Sequence, residues 1–186
     1  MRIIAGTLKG RRLASVPGDQ VRPTSDSLRE TLFNVLGPTL DGVRVLDAFA
    51  GTGALGLEAH SRGAAFVAFV EQDPRALKVV AANVAHCGVA EACAIIRGDF
   101  LASVRGGLSG FDLILLDPPY AIADLDRIVA RATASALPTG RIVLEHSRRR
   151  ASPDRAGAWR RVRVLTAGDS ALSFYERDPA APEPPL

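Results

Sequence analysis

From residue 43 onward the apolar positions follow two alternating patterns. Short runs that are apolar on both faces occupy residues 43–46, 65–70, 94–96, 113–116 and 142–144, as expected for strands buried on both sides of a parallel sheet. Between them, apolar residues recur at helical spacing over 54–61, over 74–87, where Leu77, Val80, Ala81 and Val84 share a face, and over 124–136 before Pro138. Asp73 is placed to cap the second of these helices, Pro74 to start it and Gly88 to stop it. Strand and helix in regular alternation predict an α/β fold with helices on both faces of the sheet. Residues 162–165 and 172–175, joined by Ala167-Gly168-Asp169, predict an antiparallel closing hairpin. Ahead of the alternation, residues 2–5 and 13–16 flank Gly6, Gly10, Arg11 and Arg12, which predicts a β-hairpin with a basic loop outside the main core. Leu28, Leu32, Val35 and Leu36 then predict a helix capped by Ser25 or Asp26 and ended by Gly37-Pro38. The chain thus divides into a basic hairpin and helix over 1–40, packed on the core, a main α/β domain over 41–177 and a proline-rich, disordered tail over 178–186.

Composition narrows the class. A chain of 186 residues, 47% hydrophobic and 23% charged, fits one folded unit with a sizeable core. Its longest apolar run, residues 64–70, is far short of the ~18 residues that would cross a bilayer. The N-terminus carries no signal-peptide core, so a cytoplasmic protein is expected. Cys87 and Cys93 are too few for a zinc site or a disulfide framework and read as buried thiols. Ser27, Thr31, His60, His86 and His146 suggest neither a catalytic triad nor a metal site, and the histidines read as surface or packing residues. Charge is unevenly spread. Residues 1–40 hold six basic and three acidic side chains, 41–140 eight and eleven, and 141–163 eight and two. A mildly acidic centre between basic segments suits an enzyme that binds a polyanion and a cationic small ligand. Arginine outnumbers lysine 21 to 2; a GC-rich coding bias would give the same excess, but guanidinium forks also match phosphate geometry.

Three segments carry candidate chemistry. The first is Asp47-Ala48-Phe49-Ala50-Gly51-Thr52-Gly53, a glycine-rich turn between the first sheet strand and its helix. Gly51, Gly53 and Gly56 satisfy the dinucleotide pattern G-x-G-x-x-G. However, Asp47 ends the strand and three residues separate it from Gly51. A carboxylate there repels a pyrophosphate but suits a cofactor bearing an amino group. The second is Glu71, at the end of the second strand, where its carboxylate can accept both hydroxyls of a ribose. Asp99 and Phe100 close the third strand on the same edge, with Phe100 equally explicable as core. The third is Asp117-Pro118-Pro119-Tyr120, directly after an apolar strand. Two prolines there turn the backbone out of the sheet and leave carbonyls without ladder partners. The Asp117 carboxylate and Pro118 carbonyl then offer two acceptors to the two hydrogens of a nucleobase amino group, aiming its lone pair at an electrophile. Tyr120 can stack on an extruded base.

The D-x-F-x-G-x-G turn resembles motif I of S-adenosyl-L-methionine-dependent methyltransferases, and the likeness extends further. Residues 1–6 (Met-Arg-Ile-Ile-Ala-Gly), 10–13 (Gly-Arg-Arg-Leu), 21–26 (Val-Arg-Pro-Thr-Ser-Asp), 29–34 (Arg-Glu-Thr-Leu-Phe-Asn), 50–59, 70–73, 117–120 and 171–175 (Ala-Leu-Ser-Phe-Tyr) closely resemble the RsmD family. Those enzymes methylate the N2 amino group of guanine 966 in bacterial 16S ribosomal RNA. The resemblance implies a class I methyltransferase fold, with a seven-stranded, mostly parallel sheet, helices on both faces and an N-terminal β-hairpin extension. It implies S-adenosyl-L-methionine as cofactor, held by Asp47, Gly51, Gly53, Glu71, Asp99 and Phe100, with Arg22 and Thr24 near its methionyl end. Asp117, Pro118, Pro119 and Tyr120 become the catalytic residues, and Arg11 and Arg12 contacts to RNA phosphate. The implied partner is 16S rRNA within a small-subunit particle. Leu8, where many members carry Trp, and Ala121-Ile-Ala-Asp124, which lacks the basic residues or glycine that often follow the tetrad, depart from the family pattern. An adenine-N6 methyltransferase uses the same tetrad logic but usually has a separate target-recognition domain, for which the chain has no room. A glutamine-N5 methyltransferase more often has Asn at position 117. A non-catalytic RNA-binding module on the same fold is the remaining alternative.

Overall fold

The computed structural model describes residues 1–16, 24–37, 39–102, 108–119 and 124–182, with only the backbone of Thr24 and Ser25. In chain order the main elements are α1 (Thr24–Leu36), β1 (Arg44–Asp47), α2 (Ala54–Ser61), β2 (Phe66–Glu71), α3 (Pro74–Cys87), β3 (Cys93–Arg97), β4 (Phe111–Leu116), α4 (Leu125–Thr133), β5 (Ala136–Ser147), β6 (Arg155–Ala156), β7 (Trp159–Ala167) and β8 (Ser170–Arg177). The strands form one sheet in the order β3-β2-β1-β4-β5-β8-β7-β6. Pairing is parallel from β3 through β5 and antiparallel from β5 to β6. This is the Rossmann-like methyltransferase arrangement expected from the sequence, with β6 as an extra two-residue edge strand among the described residues.

One core lies on each face of the sheet. Leu46, Val70, Ile114, Leu116, Ile142 and Leu144 pack on one side with α4. Val45, Phe69, Leu113, Leu115 and Val143 pack on the other with α1, α2 and α3. Residues of one strand divide between the cores by alternation, which accounts for strands that read as unbroken apolar runs.

The basic segment at the N-terminus is not an appendage. It pairs through a single antiparallel bridge, Arg2 to Arg12, and Ile3, Leu8 and Leu13 join the same core cluster as β1 and β4. Its backbone is held by buried polar groups of α2. Glu58, fully buried, accepts from the amides of Ile4 at 2.7 Å and Ala5 at 3.0 Å and from Arg62 Nε at 2.8 Å. Ser61 Oγ accepts from the Leu8 amide at 2.9 Å, while the Ser61 carbonyl accepts from the Thr7 amide at 2.7 Å. Gly6 is required here. With φ of 81° it passes so close to α2 that a Cβ would lie 1.7 Å from the Ser61 carbonyl oxygen.

Three local expectations need correction. α1 begins at Thr24, so Ser25 and Asp26 lie inside its first turn, and Asp26 instead pairs with Arg29 at 2.9 Å. In α3, Asp73 caps as expected by accepting from the Arg75 amide and Gly88 closes the helix in the left-handed region. Its buried face, however, is Ala76, Val80, Asn83, Val84 and Cys87, and Ala81 is exposed. The helix expected over 124–136 ends at Thr133, because the Ser135 carbonyl must accept from the Phe111 amide to start the β4–β5 pairing. Pro138 therefore sits inside β5, where the register with β4 shifts between Phe111 and Leu113. A proline is tolerated at such an irregularity.

Candidate active site at the C-terminal edge of the sheet

β1 lies between β2 and β4, so the chain winds away from it in both directions. Loops at such a switch point part and leave a crevice above the C-terminal strand ends. Asp47, the last residue of β1, is in register with Phe69 and Leu115. Glu71 and Asp117 each lie two residues further along their strands, about 7 Å beyond the level of Asp47. Three carboxylates thus lie at or just beyond the C-terminal ends of the adjacent strands β2, β1 and β4.

Asp47 is 1% exposed. Its Oδ2 accepts from the Gly56 amide at 3.0 Å, whereas Oδ1, equally buried, has no hydrogen-bond partner. Burial pushes its pKa from 3.8 up to about 7, with the Gly56 amide opposing the rise and the nearby Glu71 charge adding to it. A buried carboxylate oxygen without a donor is costly, and a cationic or amino group in the crevice would satisfy it. Glu71 ties the glycine turn to β2. Its Oε2 accepts from the Gly51 amide at 2.7 Å, and its Oε1 accepts from the amides of Gln72 at 2.7 Å and Asp73 at 2.8 Å. In the turn Gly51 and Gly53 both take positive φ, 53° and 79°. Gly53 also packs tightly, since a Cβ there would approach Val80 Cγ2 to 2.7 Å. Half of the glycine signal therefore belongs to helix–strand packing, as the third glycine confirms: a Cβ on Gly56 would meet Phe69 at 2.4 Å.

Asp99 is exposed and caps its own turn by accepting from the Leu101 amide at 2.9 Å. Phe100 is only 1% exposed, meets Phe49 edge to face at 5.6 Å and lies 5.3 Å under the Arg131 guanidinium. It is a core residue. Asp117 is exposed directly after β4, Pro118 is buried and Pro119 exposed. A small recess, open to solvent, lies beside the two prolines against Leu125, His146 and Arg150. His146 is fixed within it. Its Nδ1 faces the Ser147 carbonyl at 2.9 Å and so carries the proton, and its Nε2 accepts from Ser173 Oγ at 2.8 Å. Ser173 in turn meets Ser152 Oγ at 2.7 Å, which accepts from Arg161 Nη1 at 2.8 Å. Burial lowers the His146 pKa, so the ring is a neutral structural wall. Arg12 is exposed, and Arg11, also exposed, donates from Nη1 to the His86 carbonyl at 2.9 Å near the end of α3. Arg22 and Tyr120 lie outside the described residues, as does the side chain of Thr24. Among the described residues no cluster of His, Cys, Asp and Glu could hold a metal, and no helix is long and apolar enough to cross a membrane.

Sequence reading missed the polar anchors Glu58, Ser61, Asn83, Ser152 and Ser173. Asn83 left a signal, since it falls in the stripe that includes Val80, Val84 and Cys87. A polar residue within such a stripe requires internal partners.

From Glu71 comes a first expected result. Glu71→Ala should weaken S-adenosylmethionine binding by about 1.5–3 kcal/mol, through loss of charged hydrogen bonds and release of the Gly51 amide. Isothermal titration against wild type measures this, and unchanged affinity would remove Glu71 from the cofactor site.

Residues 1–176 match the family model described as "Conserved hypothetical protein 95". The chain is 35% identical over 182 residues to the Bacillus subtilis protein named "Putative rRNA methyltransferase YlbH", covering 95% of this chain and 99% of the relative. It is 30% identical to the Ribosomal RNA small subunit methyltransferase D of Escherichia coli K12, covering 96% and 90% respectively. Among solved structures, one titled "Putative methyltransferase yhhF from Escherichia coli" superposes with a TM-score of 0.81 at 32% identity, over 96% of this chain and 98% of that one. Matched almost end to end in both sequence and fold, the chain belongs to the RsmD family.

Proposed function

We propose that this protein is an S-adenosylmethionine-dependent methyltransferase that modifies the exocyclic N2 amino group of a guanine in 16S rRNA of the small ribosomal subunit, equivalent to guanine 966. The observation that carries the reading is the placement of Asp117 and the Pro118 backbone above the switch point, one strand away from Asp47 and the glycine turn. When bound, the cofactor supplies an electrophilic methyl on a sulfonium. Asp47, with its unpaired Oδ1, and the Glu71–Gly51 pair are the groups that would hold it, with Asp99 and Phe100 on the far side. Asp117 and the Pro118 carbonyl accept the two amine hydrogens, which withdraws the nitrogen lone pair from the ring and directs it at the methyl carbon. That is positioning and electrostatic work rather than strong-base catalysis. The names of the relatives, rRNA methyltransferases, support the RNA substrate. Acceptor geometry suits guanine N2 and adenine N6 alike, so the choice of guanine rests on the family-specific N-terminal block. A basic arm packed beside the cofactor turn favours structured RNA over duplex DNA.

Undermethylated small subunits incubated with methyl-labelled cofactor should yield N2-methylguanosine at a single site. Label recovered as N6-methyladenosine, or only in DNA, would overturn the assignment. The arm gives a further expected result. Replacing Arg11 and Arg12 by Ala should weaken binding to all RNAs and lower the salt slope by up to about two units, at roughly 0.7–0.9 per lost phosphate contact. Because Arg11 already spends one N–H on the His86 carbonyl, Arg12 should carry the larger share. A salt titration of each single variant separates them, and unchanged slopes would leave both as solvated surface.

A further inference from the structure

Asn83 is a buried amide that the proposed reaction does not use. It is 2% exposed, and its three hydrogen bonds join parts of the chain far apart in sequence. Oδ1 accepts from the Ala14 amide at 2.8 Å, and Nδ2 donates to the Ala14 carbonyl at 3.1 Å and to the Thr52 carbonyl at 2.8 Å. Only this orientation of the amide works, since the flipped one would set its NH2 against the Ala14 N–H and its oxygen against two carbonyls. Thr52 stands between Gly51 and Gly53, both at positive φ, in the turn assigned to the cofactor. Ala14 belongs to the basic N-terminal arm. Two more contacts follow the same route: Met1 Sδ lies 3.6 Å from Thr52 Oγ1, and Arg11 caps the His86 carbonyl one turn after Asn83.

We infer that Asn83 is a positioning residue that couples the RNA-binding arm to the cofactor turn, so that RNA and S-adenosylmethionine each strengthen binding of the other. The inference rests on the methyltransferase reading above. Its physical basis is the stiffness of the turn. A peptide flanked by two glycines has few constraints of its own, and the Asn83 Nδ2 bond fixes the direction of the Thr52 carbonyl and with it the peptide plane of Thr52 and Gly53. The same amide grips both backbone polar groups of Ala14. RNA that settles the arm therefore settles the turn, and the linkage is reciprocal.

The test is a binding cycle with S-adenosylhomocysteine, which does not react, and undermethylated small ribosomal subunits. Wild type should bind S-adenosylhomocysteine about tenfold more tightly when saturated with subunits, within the usual range for coupled sites. Asn83→Leu, close in volume but apolar, should reduce that ratio to about one, as should Asn83→Asp, which keeps an acceptor for the Ala14 amide but opposes two carbonyls. In turnover, both variants should raise the cofactor KM measured at saturating RNA far more than they lower kcat. If the leucine variant does not fold, Asn83→Ser, whose short hydroxyl cannot span both carbonyls, replaces it. A ratio of one in wild type, or an unchanged ratio in variants that only melt earlier, overturns the coupling and makes Asn83 a purely structural tie. Failure of wild type to bind S-adenosylhomocysteine at all would instead overturn the methyltransferase reading, so the two failures are distinguishable.

Discussion

Asp117→Ala is expected to lower methyl transfer by at least about 10²–10³-fold, the usual loss when one preorganised group is removed from a site of developing charge, while cofactor affinity stays within about tenfold, or ~1.4 kcal/mol. The split follows from position. Asp47 and Glu71 rim the crevice beside the glycine turn, whereas Asp117 is one strand over, beyond β4 and next to the recess formed with Pro118, Pro119 and His146. The side chain is exposed, so its removal opens no cavity in either core. Asp117→Asn is a useful companion, because its amide keeps one acceptor oxygen but turns an NH2 toward the substrate amine. It should recover less than a tenth of wild-type turnover. Calorimetry with the cofactor and single-turnover assays on small subunits give both numbers. Loss of cofactor binding together with activity would reassign Asp117 to the architecture of the cofactor crevice.

The sheet and its edge were legible because each signal has one dominant cause. The apolar runs within β1, β2, β4 and β5 are buried on both faces, whereas β3, expected to be buried likewise, lies at the edge of the sheet and leaves Ile95 38% exposed; acids or glycines immediately after these runs fall at the C-terminal edge. The register of Asp47 with Phe69 and Leu115 then brings Glu71 and Asp117 to one level. What the sequence did not disclose depends on tertiary contacts. The N-terminal arm reads as a hairpin outside the main core because its apolar residues are spaced by glycines and arginines. It is nevertheless drawn into the core by Glu58 and Ser61 on α2, a helix whose polar residues look solvent-facing until the arm covers them. The end of α4 was misplaced because Pro138 reads as a helix breaker, while the pairing of Phe111 with Ser135 and Ala136 ends the helix earlier. The glycine turn points to a ligand in the sequence, yet Gly53 and Gly56 are also demanded by Val80, Val67 and Phe69 packed behind them. One short motif serves two constraints, and only geometry apportions them.

Asp47→Asn should make the cofactor-free protein more stable and the cofactor bind less well. Burial holds the Asp47 carboxyl at about 7 against an ordinary 3.8, so the folded chain retains a proton that the unfolded chain has already released. Between about pH 4 and pH 7 the folded state binds more protons than the unfolded one, and stability from this residue falls as pH rises. Above pH 7 both states are ionised and the full cost persists, at most about 4 kcal/mol at 1.36 kcal/mol per pH unit. Asparagine carries no charge, and its Oδ1 can still accept from the Gly56 amide. The variant should therefore lose this slope and unfold later than wild type at pH 8, with little difference at pH 4. Cofactor affinity should move the other way, because the ionised carboxylate with its unpaired Oδ1 is what suits an ammonium group. Asp47→Asn is expected to lose about 1.5–3 kcal/mol of binding, the range for hydrogen bonds to charged groups. In wild type, affinity should decline below about pH 7 as the carboxyl takes up its proton, and calorimetry in buffers of different ionisation enthalpy should detect about one proton released on binding near pH 6. A variant that is both less stable at pH 8 and unaltered in affinity would show that Asp47 is held in the crevice for packing alone.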